Sequence, residues 1–162
     1  MITEAATVDA VREVAENMRQ RDLDEFLALS PFETHAELVR SIVQNYAPHH
    51  DAYVFRANDG APVAVAGMIR QRPNVITLLF FATERFPEIG SDLTRFVRKV
   101  LFPKYREYGV HRIECASIEG YAETHRWLQA LGLEEEAVMP GFGRDGQTYI
   151  QFAWVNDARP AG

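Results

Sequence analysis

Apolar positions along the chain follow two spacings, helical and alternating, and these change over in blocks. Val11, Val14, Ala15 and Met18 recur at i, i+3, i+4 and i+7, the stripe of an amphipathic helix. Asp9 is placed to cap that helix, and a short strand over residues 5–8 precedes it. A second stripe, Leu38, Val39, Ile42 and Val43, predicts a helix over 36–46, with Thr34 near its cap and Pro48 as its stop. The period then drops to two. Residues 52–57 set Tyr53 and Phe55 against Val54 and Arg56, and Asn58-Asp59-Gly60 supplies the positive φ of a tight hairpin turn. Residues 62–70 form the return strand, Arg72-Pro73-Asn74 a second turn, and 75–83 a third strand. The unbroken apolar run of that third strand predicts that both its faces are covered.

Helical spacing returns with Leu93, Phe96, Val97, Val100 and Leu101, which follow Gly90-Ser91. Pro103 must bend or interrupt this helix, because it lacks an N–H and crowds the turn before it, and Gly109 ends it. A strand over 110–116, a helix over 121–131 closed by Gly132, and strands over 133–139 and 148–155 complete the chain. The strand–helix–strand unit favours parallel pairing of 75–83 with 110–116 through a right-handed crossover. The expected architecture is a mixed sheet of six to seven strands with helices on both faces, in one domain over 1–155, with a loose tail over 156–162.

Composition narrows the function classes. With 162 residues and 47% hydrophobic content, the chain is long enough to bury a core. The net charge of −6 argues against nucleic acid as the partner, because phosphate neutralisation needs a basic field. A single cysteine, Cys115, excludes an internal disulfide and a cysteine zinc cluster. The acidic N-terminal segment does not read as a signal peptide, and no apolar run is long enough to span a bilayer.

Two segments carry a family resemblance. Arg85-Phe-Pro-Glu-Ile-Gly90-Ser91 follows the third strand and opens a helix, and ETHRWLQALG ends a later helix on Trp127, Leu131, Gly132 and Leu133. Both resemble the GNAT N-acetyltransferases. Their loop of pattern Gln/Arg-x-x-Gly-x-Gly/Ala presents backbone N–H groups to the pyrophosphate of acetyl-CoA at a helix N-terminus. The resemblance implies a GNAT fold, with a V-shaped splay between the two central parallel strands. It implies acetyl-CoA as cofactor, contacted by the backbone of Phe80, Phe81 and Ala82 and by Arg85, Gly90 and Ser91. The sequence departs from the pattern twice. Glu88 stands where the first loop glycine belongs, bringing a carboxylate towards a pyrophosphate, and Leu128 stands where a tyrosine often acts as general acid.

Residues from about Leu93 to Phe152, ending in the Arg144-Asp-Gly-Gln turn and its strand, are similar to the small GNAT-like internal virion proteins of short-tailed bacteriophages. That likeness implies an assembly role with a degenerate acyl-CoA site, other virion proteins as partners, and a place in the host cytoplasm or the virion. The alternative is an active acetyltransferase acting on a small amine or a protein amino group.

Acyl transfer to an amine needs a base, and an acid for the departing thiolate. Glu84, at the end of the third strand, and Glu119, just after the parallel strand, are the candidate bases. Tyr121 is the candidate acid in place of Leu128. Each has a plainer reading: solvated loop carboxylates for the first two and a half-buried ring for the third. Glu114 alternates with Ile113 and Cys115 and is expected on the other side of the sheet, and Cys115 reads as a small buried apolar residue. His49-His50 is not expected to hold a metal, because adjacent histidines on an extended chain point apart. Arg95, Arg98, Lys99, Lys104 and Arg106 give one helix a basic side, read as a solvated face or a grip for an anion or partner.

Overall fold

The computed structural model describes residues 1–156. Its strands are β1 (Ile2–Ala5), β2 (Ala52–Arg56), β3 (Pro62–Arg72), β4 (Val75–Ala82), β5 (Arg112–Ile118), β6 (Glu134–Met139) and β7 (Tyr149–Val155). They form one sheet in the order β1-β2-β3-β4-β5-β7-β6, antiparallel throughout except for β4 against β5. The mixed sheet predicted from the sequence is therefore present, and the parallel pair sits at its centre.

The helices are α1 (Val8–Glu16), α2 (Gln20–Ala28), α3 (His35–Tyr46), α4 (Gly90–Phe96), α5 (Phe102–Glu107) and α6 (Ala122–Ala130). One core packs α1 and α3 against Val54, Val65 and Phe81 on one face of the sheet. The other packs Leu93, Val97, Leu101 and Phe102 with Leu128 and Leu131 of α6 against Phe55, Ala66, Met68 and Ile76. Alternate residues of β4 enter alternate cores, which explains its unbroken apolar run.

Local differences from expectation have local causes. The first strand lies over Ile2–Ala5 rather than 5–8, and Thr7, not Asp9, caps α1, with its Oγ1 accepting from Ala10 N at 3.3 Å. Thr34 caps α3 as expected, accepting from Glu37 N at 3.2 Å. Pro103 is absorbed without a break: Val97–Leu101 widens into a π turn, and α5 starts with the proline in its first turn. α2 is an element the sequence reading did not contain. The tail expected over 156–162 falls outside the described residues apart from Asn156, whose N–H donates to His111 O at 2.8 Å. Among the described residues no helix is long and apolar enough to cross a membrane.

Candidate functional site

β4 and β5 pair only at their first three positions, Val75 with Arg112, Ile76 with Ile113 and Thr77 with Glu114. Beyond these, each strand stays with its outer neighbour: β4 with β3 as far as Ala82, and β5 with β7 as far as Ile118. The two legs therefore part into a V. Hydrogen bonding alternates along an antiparallel strand, and Thr83 N donates to Val63 O on the β3 side. By that alternation Phe81 and Leu79 turn their N–H groups towards β3, whereas Ala82 and Phe80 turn theirs into the gap.

The unpredicted helix α2 straps the open end of the V. Its carboxylates at i and i+3, Asp22 and Glu25, lie on one helical face, and each holds one leg. Asp22 Oδ2 accepts from Ala82 N at 2.8 Å on β4. Glu25 Oε1 accepts from Ser117 Oγ at 2.7 Å and Ile118 N at 3.0 Å on β5. Arg19 completes the β4 attachment: its N–H donates to Ala82 O at 2.8 Å, and its guanidinium grips Asp22 through two 3.0 Å hydrogen bonds. Both members of this pair are buried, and the Arg19 guanidinium lies 4.9 Å from the centre of the Phe86 ring.

Burial raises the pKa of both carboxyls, but unequally. Desolvation pushes Asp22 up while Arg19 pulls it back. Among the described residues Glu25 has no ion-pair partner, and desolvation carries it up to about 7 against the opposing hydrogen bonds from Ser117 and Ile118. Both of those bonds fall on Oε1, which leaves Oε2 for the cleft that Glu25 lines. The cleft, of about 590 Å³, runs through the gap between the legs. Phe26, Leu38, Ile42 and Tyr46 of α2 and α3 line one side of it, and Thr124, Trp127 and Leu128 of α6 line the other.

The sequence-nominated residues divide around this cleft. Phe80 lies in it, with its ring against Trp127 and Phe86 at centroid distances of 4.6 and 5.7 Å. Phe81 is buried in the α1–α3 core, and the N–H of Ala82 is already taken by Asp22. Glu84 is exposed beside a smaller pocket formed with Arg19, Arg21, Phe86 and Pro87, whereas Glu119 is exposed away from both. Tyr121 begins α6, where partial burial and the carboxylates of Asp24 and Glu25 raise its pKa. Cys115 is buried, and desolvation pushes its thiol up to about 12, which makes it inert. Glu114 lines the cleft and is held by Arg112 and Arg72.

The loop at 83–91 was expected to hold a pyrophosphate, and its own groups occupy it. Arg85 donates Nε and Nη2 to Glu88 at 2.9 and 2.6 Å, and Nη2 to Asp59 at 3.0 Å. Those bonds hold the carboxyl of Glu88 below its ordinary range. The N–H groups of Arg85, Phe86, Glu88 and Ile89 bond within the loop, and Pro87 has none. Gly90 and Ser91 begin α4. A gap of the right kind for a thin acyl-thioester arm is thus present, but the loop does not fit a nucleotide pyrophosphate.

Solved structures share this architecture. A GNAT-family acetyltransferase from Bacillus anthracis matches with a TM-score of 0.70 at 11% identity, over 94% of this chain and 93% of that one. A ribosomal-protein-alanine N-acetyltransferase from Brucella melitensis gives 0.71 at 16%, over 96% and 100%. The ribosomal-protein-S18-alanine N-acetyltransferase from Escherichia coli gives 0.70 at 14%, over 99% and 97%. The fold is the GNAT fold. Identities this low carry the fold alone, and they lend nothing to the virion resemblance. No protein-family model matches the sequence, and no curated protein matches it.

Within this GNAT fold, the expectation for the paired histidines needs correction. His49 and His50 do not point apart. The chain turns after α3 instead of extending, and the rings stack at 5.1 Å with 7° between their planes. With Asp51 they place three ligand-type atoms within 4.8 Å of one another. Asp51 accepts from Tyr105 OH at 2.6 Å and lies 2.9 Å from His50 Nε2, and its N–H donates to His49 Nδ1 at 3.1 Å. The basic side of α4–α5 is the solvated face expected at Arg95, Arg98, Lys99 and Lys104, all exposed, and only Arg106 is half-buried. Arg106 stacks over Trp154 at 4.1 Å, Lys104 donates to Tyr53 OH, and Arg95 pairs with Asp92.

The residue that the sequence reading missed is Glu25. Leu23, Phe26 and Leu27 at i, i+3 and i+4 carried the signal for its helix, but nothing local marks Glu25 itself.

Proposed function

We propose that this chain is an N-acyltransferase that moves an acyl group from a thioester to an amine in the gap between β4 and β5. One observation carries the reading: a half-buried carboxyl, Glu25, hydrogen-bonded through Oε1 alone and pushed up to about 7 by desolvation, on the wall of a cleft that passes through that gap. A base poised near the working pH is what proton removal from an ammonium requires. The acceptor enters from the α2–α3 side and loses its proton to Oε2 of Glu25. Ser117 Oγ–H and Ile118 N–H hold Oε1, which fixes the carboxylate in position. The neutral nitrogen forms the new N–C bond as the C–S bond breaks, the bond's electron pair goes to sulfur, and the proton that the now cationic nitrogen sheds passes to the departing thiolate, so the products are the neutral amide and the thiol. The thioester supplies the activated acyl carbon, and the Phe80 N–H, turned into the gap, is the available donor for the oxygen that becomes negative.

Glu84, Glu119 and Tyr121 stand outside this arrangement as alternatives. The test is thiol release from an acyl thioester with a panel of primary amines. The wild-type chain should turn over with a pH limb near 7, and Glu25→Gln should lose ~10²-fold or more. Wild-type inactivity with every donor and amine would defeat the reading. A second reading is a GNAT-fold assembly protein without turnover: the ion pairs of Arg85 with Glu88 and Asp59 suit a chain that does not turn over acyl-CoA, while docking to virion components rests on the sequence resemblance alone.

A further inference from the structure

The loop at 83–91 and the β2–β3 turn set two carboxylates, Glu88 and Asp59, on a single guanidinium, that of Arg85. Arg85 is already engaged: its Nε and Nη2 donate to Glu88, and Nη2 donates to Asp59 as well. A phosphate arriving there would have to compete with two carboxylates for that guanidinium, and would face both as like charges. Among the backbone donors, those of Arg85, Phe86, Glu88 and Ile89 are spent inside the loop and Pro87 has none, which leaves only the first-turn N–H groups of the seven-residue α4, from Gly90 and Ser91, to offset the carboxylates. A nearby cation, Arg19, is buried at 7% exposure and committed to Asp22, while Arg21 pairs with Glu123 at 3.1 Å. The gap itself is different. Its lining is more apolar than polar, with Phe80 and Trp127 on it, and suits a thin neutral arm.

We infer that the donor is recognised through its pantetheine-like arm and acyl group alone, and that the Arg85–Glu88–Asp59 cluster excludes the nucleotide diphosphate from the binding energy. This rests on the acyltransferase reading above. The substrate class is acyl thioesters of pantetheine or shorter thiols, with the nucleotide part of CoA left in solvent. Glu88 is the specificity-determining residue, because it supplies two of the three bonds that neutralise Arg85.

The test is calorimetric titration of the full chain with CoA and with pantetheine, at low and high salt, beside turnover of their acetyl thioesters. The expected dissociation constants agree within about threefold, and CoA binding changes little with salt, as it should where no phosphate is paired. CoA binding about tenfold or more tightly than pantetheine, with a steep salt dependence, overturns the inference and leaves the acyltransferase reading standing. If neither ligand binds and neither thioester is consumed, both fall. Glu88→Gly restores a glycine and frees Arg85, and Glu88→Gln is the companion should the glycine variant unfold. Either should shift the CoA-to-pantetheine affinity ratio towards CoA by about fivefold or more, roughly one good charge-assisted contact. An unchanged ratio in the folded variants overturns the role given to the cluster.

Discussion

A carboxyl group that loses its water without gaining a cation holds its proton to higher pH, and Glu25 is placed that way beside the better-compensated Asp22. Its ordinary value of 4.5 becomes about 7 in the folded chain. Between those values the folded state binds more protons than the unfolded state, so stability falls as pH rises through this window. The penalty is absent below about pH 4.5 and complete above about pH 7. Glu25→Gln should therefore stabilise the protein at pH 8 by up to about 3 kcal/mol and do little at pH 4.5, as read from urea denaturation at both values. Equal effects at the two pH values would mean that the carboxyl titrates normally. Cys115 offers an independent residue-scale check. A thiol pushed up to about 12 is almost all protonated at pH 8, so alkylation by iodoacetamide should be negligible in the native chain and complete in urea over the same interval.

The helix α2 acts as a strap, and its strength is concentrated at the Arg19–Asp22 pair. Removing the carboxylate in Asp22→Ala leaves a buried guanidinium without its partner and the Ala82 N–H without its acceptor. A loss of about 3–5 kcal/mol is expected, measured as a shift in the urea midpoint. Arg21→Ala, which breaks only an exposed pair with Glu123, should cost less than about 1 kcal/mol. The same helix shows where sequence reading stops. Strands and hairpins were legible because Asp59-Gly60 and the alternating runs act over a few residues. Glu25 was not, because Ser117, which shapes its environment, lies 92 residues away. Arg85 looked like a phosphate ligand because the Asp59 that occupies it sits 26 residues upstream, on a turn chosen for its hairpin geometry. The error at His49 and His50 was of another kind. It assumed an extended chain where Pro48 and the end of α3 impose a turn.

At the scale of the molecule, the V persists because each leg has a complete partner on its outer side and a carboxylate of α2 at its tip. The gap is thus kept open from both flanks and needs no ligand to hold it apart, so it can be filled without disturbing the sheet. Ala116 of β5 lines the cleft and carries only a methyl group there. Ala116→Trp puts an indole into the gap, whose ~590 Å³ exceeds the volume of that side chain. The expected outcome is a melting temperature within a few degrees of wild type, since a filled cleft adds apolar contact without overpacking a closed core. Stabilisation by thioester should vanish at the same time, although in the wild type a ligand at about 100 times its dissociation constant should contribute about 2.7 kcal/mol. Val100→Trp, on an exposed position of the π turn, is the matched control and should keep that stabilisation. Should Ala116→Trp fold and still respond to thioester as wild type does, the ligand sits elsewhere, and the splayed strands, however well they match the acetyltransferase fold, are not where this chain does its work.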